Sequence, residues 1–73
     1  MNIAQTTAYN LLDKHSLPFI AGDESDFLIA RNSAIHEINY MRECVGLFLQ
    51  DHWNDVHEEI LKINYQMYLN YRK

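Results

Sequence analysis

A run of histidine and acidic side chains in the second half of the sequence offers ligands for a metal ion. On a helix, His52, Asp55 and Glu59 follow one another at steps of three and four residues and share one face. Imidazole and carboxylate groups are common zinc ligands. His52 and His57, however, do not share a face, unlike the two histidines of a His-Glu-x-x-His site. We therefore interpret the run as a solvated helix face and expect no metal.

A second polar stripe consists of His36, Tyr40 and Glu43, again at helical steps of four and three. General acid–base catalysis would need such groups inside a pocket that shifts their pKa values. We expect instead that they are ordinary exposed residues of a helix. The single cysteine, Cys44, lies in an apolar run, which favours a buried thiol over a reactive thiolate.

Sequence motifs of the common enzyme classes are missing. The chain has no glycine-rich phosphate loop, no Cys-x-x-Cys pair, no Gly-x-Ser-x-Gly motif and no calcium-binding loop. In a chain of 73 residues, this favours a non-enzymatic protein without a cofactor.

Aromatic and apolar side chains are concentrated towards the C-terminus. Tyrosine and methionine are enriched at protein interfaces, where a few large anchors dominate the binding energy. The predicted partner-binding residues are Trp53, Tyr65, Met67, Tyr68, Leu69 and Tyr71. Arg42, Arg72 and Lys73 are candidate anion contacts. Together with the tyrosines they leave an alternative, a helical oligomer that binds a nucleotide or short nucleic acid by stacking.

Helical periodicity extends over most of the sequence. Apolar residues at steps of three and four predict a short first helix over residues 3–15, capped by Asn2. Residues 16–25 contain Pro18 and form a connection. Asp23 or Ser25 caps a second helix that starts near residue 25.

The end of the second helix is ambiguous in the sequence. Gly46 could close it in the left-handed conformation, or residues 50–55 could form a turn before a last helix over residues 54–71. Alternatively the helix does not stop, because the apolar spacing continues through this region. Such a helix would be about 70 Å long and could hide its apolar stripe only in a dimeric coiled coil.

The charge balance and the cysteine count restrict the partners and the compartment. A net charge of −4 with no basic stripe argues against nucleic acid as the main partner, and the acidity is greatest over residues 23–46. A lone cysteine, no secretory signal and no apolar run of about 20 residues predict a cytoplasmic protein that does not enter membranes. Seven asparagines and seven isoleucines, both encoded by AT-rich codons, are compatible with a phage or mobile-element gene.

The sequence therefore predicts one all-α domain over residues 1–73, in which a short helix packs on an antiparallel hairpin of two longer helices. Residues 60–71 are apolar on more sides than a short chain can cover, which predicts a homo-oligomer. The predicted function is that of a small regulator or inhibitor that binds another protein and occludes part of its surface.

Overall fold

Four α-helices account for most of the computed structural model, which describes residues 2–16 and 23–72 and gives only the backbone of Leu47 and Phe48. The helices are α1 (Ile3–Ser16), α2 (Glu24–Cys44), α3 (Leu47–Lys62) and α4 (Tyr65–Arg72). No strand occurs in these two ranges. The predicted all-α class is therefore confirmed. No helix within them is both long and apolar enough to cross a membrane.

The first two helices begin with side-chain caps. The Gln5 amide donates to Asn2 Oδ1 at 2.8 Å, and the Asn2 amide donates to Gln5 Oε1 at 2.9 Å. The Asp26 amide donates to Asp23 Oδ1 at 2.9 Å. Each contact satisfies an amide that lacks a partner at a helix start. The predicted caps Asn2 and Asp23 are therefore confirmed.

The chain leaves helical geometry between α2 and α3 at Val45 and Gly46. Gly46 has φ −70° and ψ 171°, which is extended backbone, and it serves as the N-cap of α3. The prediction of a left-handed glycine here is therefore wrong. A turn in residues 50–55 is also wrong, because α3 runs straight through them, and the continuous helix is excluded by the break itself.

A second break, at Ile63 and Asn64, divides the predicted last helix into α3 and α4. The Met67 amide donates to Asn64 Oδ1 at 2.8 Å, so Asn64 acts as the cap of α4. Asparagine is a preferred N-cap because its side chain replaces the missing backbone acceptor. The prediction of one helix over residues 54–71 missed this second cap.

The core forms where α1 packs against both α2 and α3. Its largest fully buried side chains are Leu12, Ile38, Val56 and Ile60. Phe27, Ile63 and Tyr68 extend this cluster towards α4. A single chain thus covers several of the apolar side chains in the C-terminal region.

Polar contacts also join the helices. Lys14 Nζ of α1 lies 2.7 Å from Glu37 Oε1 of α2. Arg31 Nη1 of α2 donates to the Ile63 carbonyl at 3.4 Å, and Gln50 Nε2 of α3 donates to the Arg42 carbonyl at 3.3 Å. Both charged side chains near the middle of α2, those of Arg31 and Glu37, are therefore engaged within the chain.

Candidate protein-binding surface

Tyr68, a predicted partner contact, lies in the core and is only 3% exposed. Its hydroxyl donates to Asp13 Oδ1 at 2.7 Å and lies 2.8 Å from Ser16 Oγ. Burial raises the pKa of Tyr68, and the Asp13 carboxylate raises it further, although the Ser16 hydroxyl opposes them. The prediction that Tyr68 contacts a partner is corrected, because its ring and hydroxyl are used inside the chain.

The other two tyrosines of α4 also have contacts within the chain. The Tyr71 ring stacks on Tyr9 with centroids 4.4 Å apart, and its hydroxyl donates to Asn10 Oδ1 at 3.3 Å. The Tyr65 ring lies 5.9 Å from that of Phe27. Both rings already pack on another ring of the chain, and the arrangement gives the nucleotide alternative no particular support.

The remaining predicted contact residues are only partly accessible. Trp53 packs against the core cluster, and the His52 ring meets its edge. Leu69 is half-buried, whereas Met67 is 40% exposed. Met67 is therefore the most accessible of the six predicted contacts, because the tyrosines of α4 turn towards α1 and α2.

The candidate anion contacts do not form a common site. The Arg72 guanidinium lies 5.6 Å from the Tyr68 ring centroid, whereas Arg42 lines an open groove with Asn39, Glu43 and Gln50. Lys73 lies outside the described residues. The described part of the chain thus shows no cluster of these cations that could hold a phosphate.

The histidine and acidic run borders an open groove of about 680 Å³ beside the start of α1. His52, Asp55 and Glu59 line it together with Glu58, Asn2 and Ile3. Glu59 Oε1 lies 3.6 Å from Lys62 Nζ. Among residues 2–16 and 23–72, no three histidine, cysteine or acidic side chains are arranged to hold a metal ion.

The second polar stripe of the sequence lies on the solvent side of α2. His36, Tyr40 and Glu43 are all exposed, as expected. Cys44 is exposed as well, so the prediction of a buried thiol is wrong. A hydrogen bond with Cys44 raises the pKa of Tyr40. The thiol is exposed because α2 ends at Cys44, before the apolar run continues into α3.

The solvent side of α2 has an unusual composition. Its exposed residues between Phe27 and Met41, here named the α2 outer face, are Leu28, Ile29, Asn32, His36, Asn39 and Tyr40. None of the six is Asp, Glu, Lys or Arg, although 22% of the whole chain is charged. The side chains of Leu28, Ile29 and Tyr40 are 42%, 48% and 65% exposed.

The α2 outer face is uncharged because both charges of this segment point elsewhere. Arg31 lies over the Phe27 ring, 5.7 Å from its centroid, and donates to the Ile63 carbonyl. Glu37 accepts a hydrogen bond from Lys14, which lowers the pKa of Glu37 against the opposing effect of burial. The helical spacing of uncharged residues over 28–40 was the signal in the sequence that could have identified this face.

Comparison with known proteins gives no relative from which a function could be transferred: no family model, no curated protein and no solved structure matches the chain.

Proposed function

We propose that this protein is a non-enzymatic regulator that binds another protein through the α2 outer face and covers part of that protein's surface. The observation that carries the proposal is an exposed helix surface with Ile29 and Tyr40 at its ends and no formal charge between them. The centres of protein interfaces are depleted in charged residues and enriched in aromatic ones.

The helices behind this face support it as a rigid platform. We infer that α2 and α3 form an antiparallel pair, because Arg31 contacts Ile63 at one end while Arg42 contacts Gln50 at the other. The buried side of α2 carries Phe27, Ala34 and Ile38 in the core. A partner that docks on the outer side would meet a preformed helix, so little conformational entropy would be lost on binding.

Exposed tyrosine and isoleucine side chains fit the role of anchors. Tyr40 offers a ring and a hydroxyl on a helix, and Ile29 lies eleven residues earlier, about three turns away on the same side. Anchors of this kind usually provide most of the binding energy. Leu61 of α3 is also exposed, but no comparable uncharged surface surrounds it, since Lys62 and Glu58 flank it.

The test is capture of a partner by tagged protein, followed by identification and purification of that partner. Ile29→Lys and Tyr40→Lys should each weaken its binding at least about tenfold, because a charge would be buried at the contact. Leu61→Lys is the matched control, since it changes an equally exposed apolar residue outside the face, and it should bind as the wild type does. Equal binding by all three variants, in protein that remains folded, would show that the surface is elsewhere.

A further inference from the structure

The α2 outer face has a spacing that makes it complementary to a copy of itself. Ile29 and Tyr40 lie on one edge, and Leu28 and Asn39 lie on the other, each pair about three turns apart. Asn32 and His36 lie between the edges. Suppose that two such helices pack face to face and antiparallel, with their centres near residue 34. Ile29 of each helix then lies opposite Tyr40 of the other, and Leu28 of each lies opposite Asn39 of the other.

We propose that a second copy of this chain docks on the α2 outer face, with the two α2 helices antiparallel and related by a two-fold axis near residue 34. Ile29 then contacts the partner's Tyr40, and Asn32 contacts the partner's His36. On one edge an apolar side chain meets an aromatic one, on the other edge Leu28 lies beside the partner's Asn39, and groups capable of hydrogen bonding meet in the middle. The proposal rests on the proposed function only in that both use this face to bind protein.

Charge complementarity favours a second copy in this orientation. Glu24 is exposed at the start of α2, and Arg42 lies five turns later on the same side of the helix. In the antiparallel arrangement, Glu24 lies beside the partner's Arg42, and the pair occurs twice. A parallel arrangement would bring no such pair of opposite charges together. Flanking charges of this kind set the orientation of paired helices, and the helix dipoles also prefer the antiparallel arrangement.

One residue works against the pairing. Glu43 lies on the midline of the face at its C-terminal end, so it approaches the start of the partner's α2, where Asp23 and Glu24 are exposed. Glu43→Gln should therefore tighten the dimer, whereas most other polar substitutions on the face should weaken it.

Sedimentation equilibrium of the full chain over a range of concentrations is the first measurement. We expect a monomer–dimer equilibrium in the wild type and in Leu61→Lys, and a dissociation constant at least about tenfold higher in Ile29→Lys and Tyr40→Lys. Circular dichroism melts would confirm that the monomeric variants remain folded. Monomeric wild type at every concentration overturns the dimer and leaves a foreign protein as the occupant, so its failure is distinct from that of the proposed function.

Charge reversal tests the orientation. Arg42→Glu should weaken the dimer about threefold to tenfold, and adding Glu24→Lys to the same chain should recover most of this loss because the two pairs are re-formed with opposite sign. No recovery in the double variant would overturn the antiparallel register.

Cross-linking independently tests how far apart equivalent residues of the two α2 helices lie. In a Cys44→Ser background, Asn32→Cys would place the two new thiols within about 10 Å across the axis, within reach of a short bis-maleimide. The native Cys44 is the control, because two copies of it would be about 30 Å apart. Rapid cross-linking at residue 32 and none at Cys44 is the expected result. Cross-linking through Cys44 alone would indicate parallel helices and overturn the proposal, as would a dimer lost only in Met67→Lys.

Discussion

At the scale of single residues, the Tyr68 hydroxyl makes the shortest hydrogen bonds described between α4 and α1. It lies between Asp13 Oδ1 and Ser16 Oγ, and both of these side chains are partly buried. A hydrogen bond to a carboxylate is stronger than one between neutral groups, and a buried carboxylate left without a donor is costly. An interior tyrosine with this geometry contributes to stability and not to recognition.

Tyr68→Phe should lower the free energy of unfolding by about 1–3 kcal/mol, because the ring still fills its place while Asp13 loses its donor. Tyr71→Phe is the matched control. Its hydroxyl makes an exposed and longer hydrogen bond of 3.3 Å, so the loss should be under about 0.5 kcal/mol. Urea unfolding followed by circular dichroism measures both. Similar losses in the two variants would contradict the central role of Tyr68.

At the scale of the elements, the two short breaks determine the architecture. Neither break contains proline, and each has an N-cap residue: Gly46 before α3 and Asn64 before α4. Asn64 provides a side-chain acceptor, whereas Gly46 provides none. The start of α3 is therefore the less well capped of the two, and it also has no acidic residue in its first turn.

Gly46→Asp should stabilise the protein by about 0.5–1 kcal/mol. An aspartate at the cap would accept from the first free amides of α3, place negative charge at the positive end of the helix and restrict the unfolded chain. Apart from its chain neighbours, no described side chain or backbone atom would lie within 4 Å of a Cβ at Gly46, and its φ of −70° suits any residue. Gly46→Ala restricts the unfolded chain as well but supplies no cap, so it should stabilise the protein less than Gly46→Asp. Thermal unfolding compares the two variants, and equal melting temperatures would argue against capping as the cause.

At the scale of the whole molecule, inward-facing charges leave an outer helix surface neutral. Lys14 and Glu37 join α1 to α2, and Arg31 joins α2 to the end of α3. These contacts contribute to tertiary stability and also leave the α2 outer face without charge. The part of the molecule that we propose as a binding surface thus lies beside charged side chains that are engaged within the chain.

Acid should weaken the protein through Glu37. Its folded pKa is lowered from 4.5, chiefly by the hydrogen bond from Lys14. A lowered folded pKa stabilises the protein above the unfolded value, and this contribution is lost as the pH falls through the folded value. Below about pH 4.5, the unfolding free energy of Glu37→Gln should therefore fall less steeply than that of the wild type. Lys14→Met removes the main cause of the lowered Glu37 pKa, so its unfolding free energy should also fall less steeply with pH. Urea unfolding at a series of pH values measures this dependence. If both variants lost stability in acid as steeply as the wild type, Glu37 would not be the group responsible.

The helical class, the start of α1 at Asn2 and the cap at Asp23 could be predicted from the sequence, because they depend on neighbouring residues. Of the two breaks, the one at Gly46 was an alternative that the sequence left open, and the one at Asn64 was missed. The apolar spacing from Val45 to Tyr71 is compatible with one helix, and the packing of Tyr68 and Tyr71 on α1 favours the change of direction at the Asn64 cap. The sequence placed the candidate binding surface mainly on the C-terminal helix, whereas the structure favours the α2 outer face. The reason is the same, because the exposure of a side chain depends on what the rest of the chain covers.

The sequence by itself thus determined the all-α class, the acidic balance and the absence of enzyme motifs, because these follow from local spacing and composition. Only the tertiary structure decided which aromatic residues are buried and which helix face stays open. Tyr68 and Tyr40 are both tyrosines at helical positions, but one reaches a carboxylate 55 residues away in the chain and the other reaches solvent. Local sequence patterns carry no information about such long-range contacts.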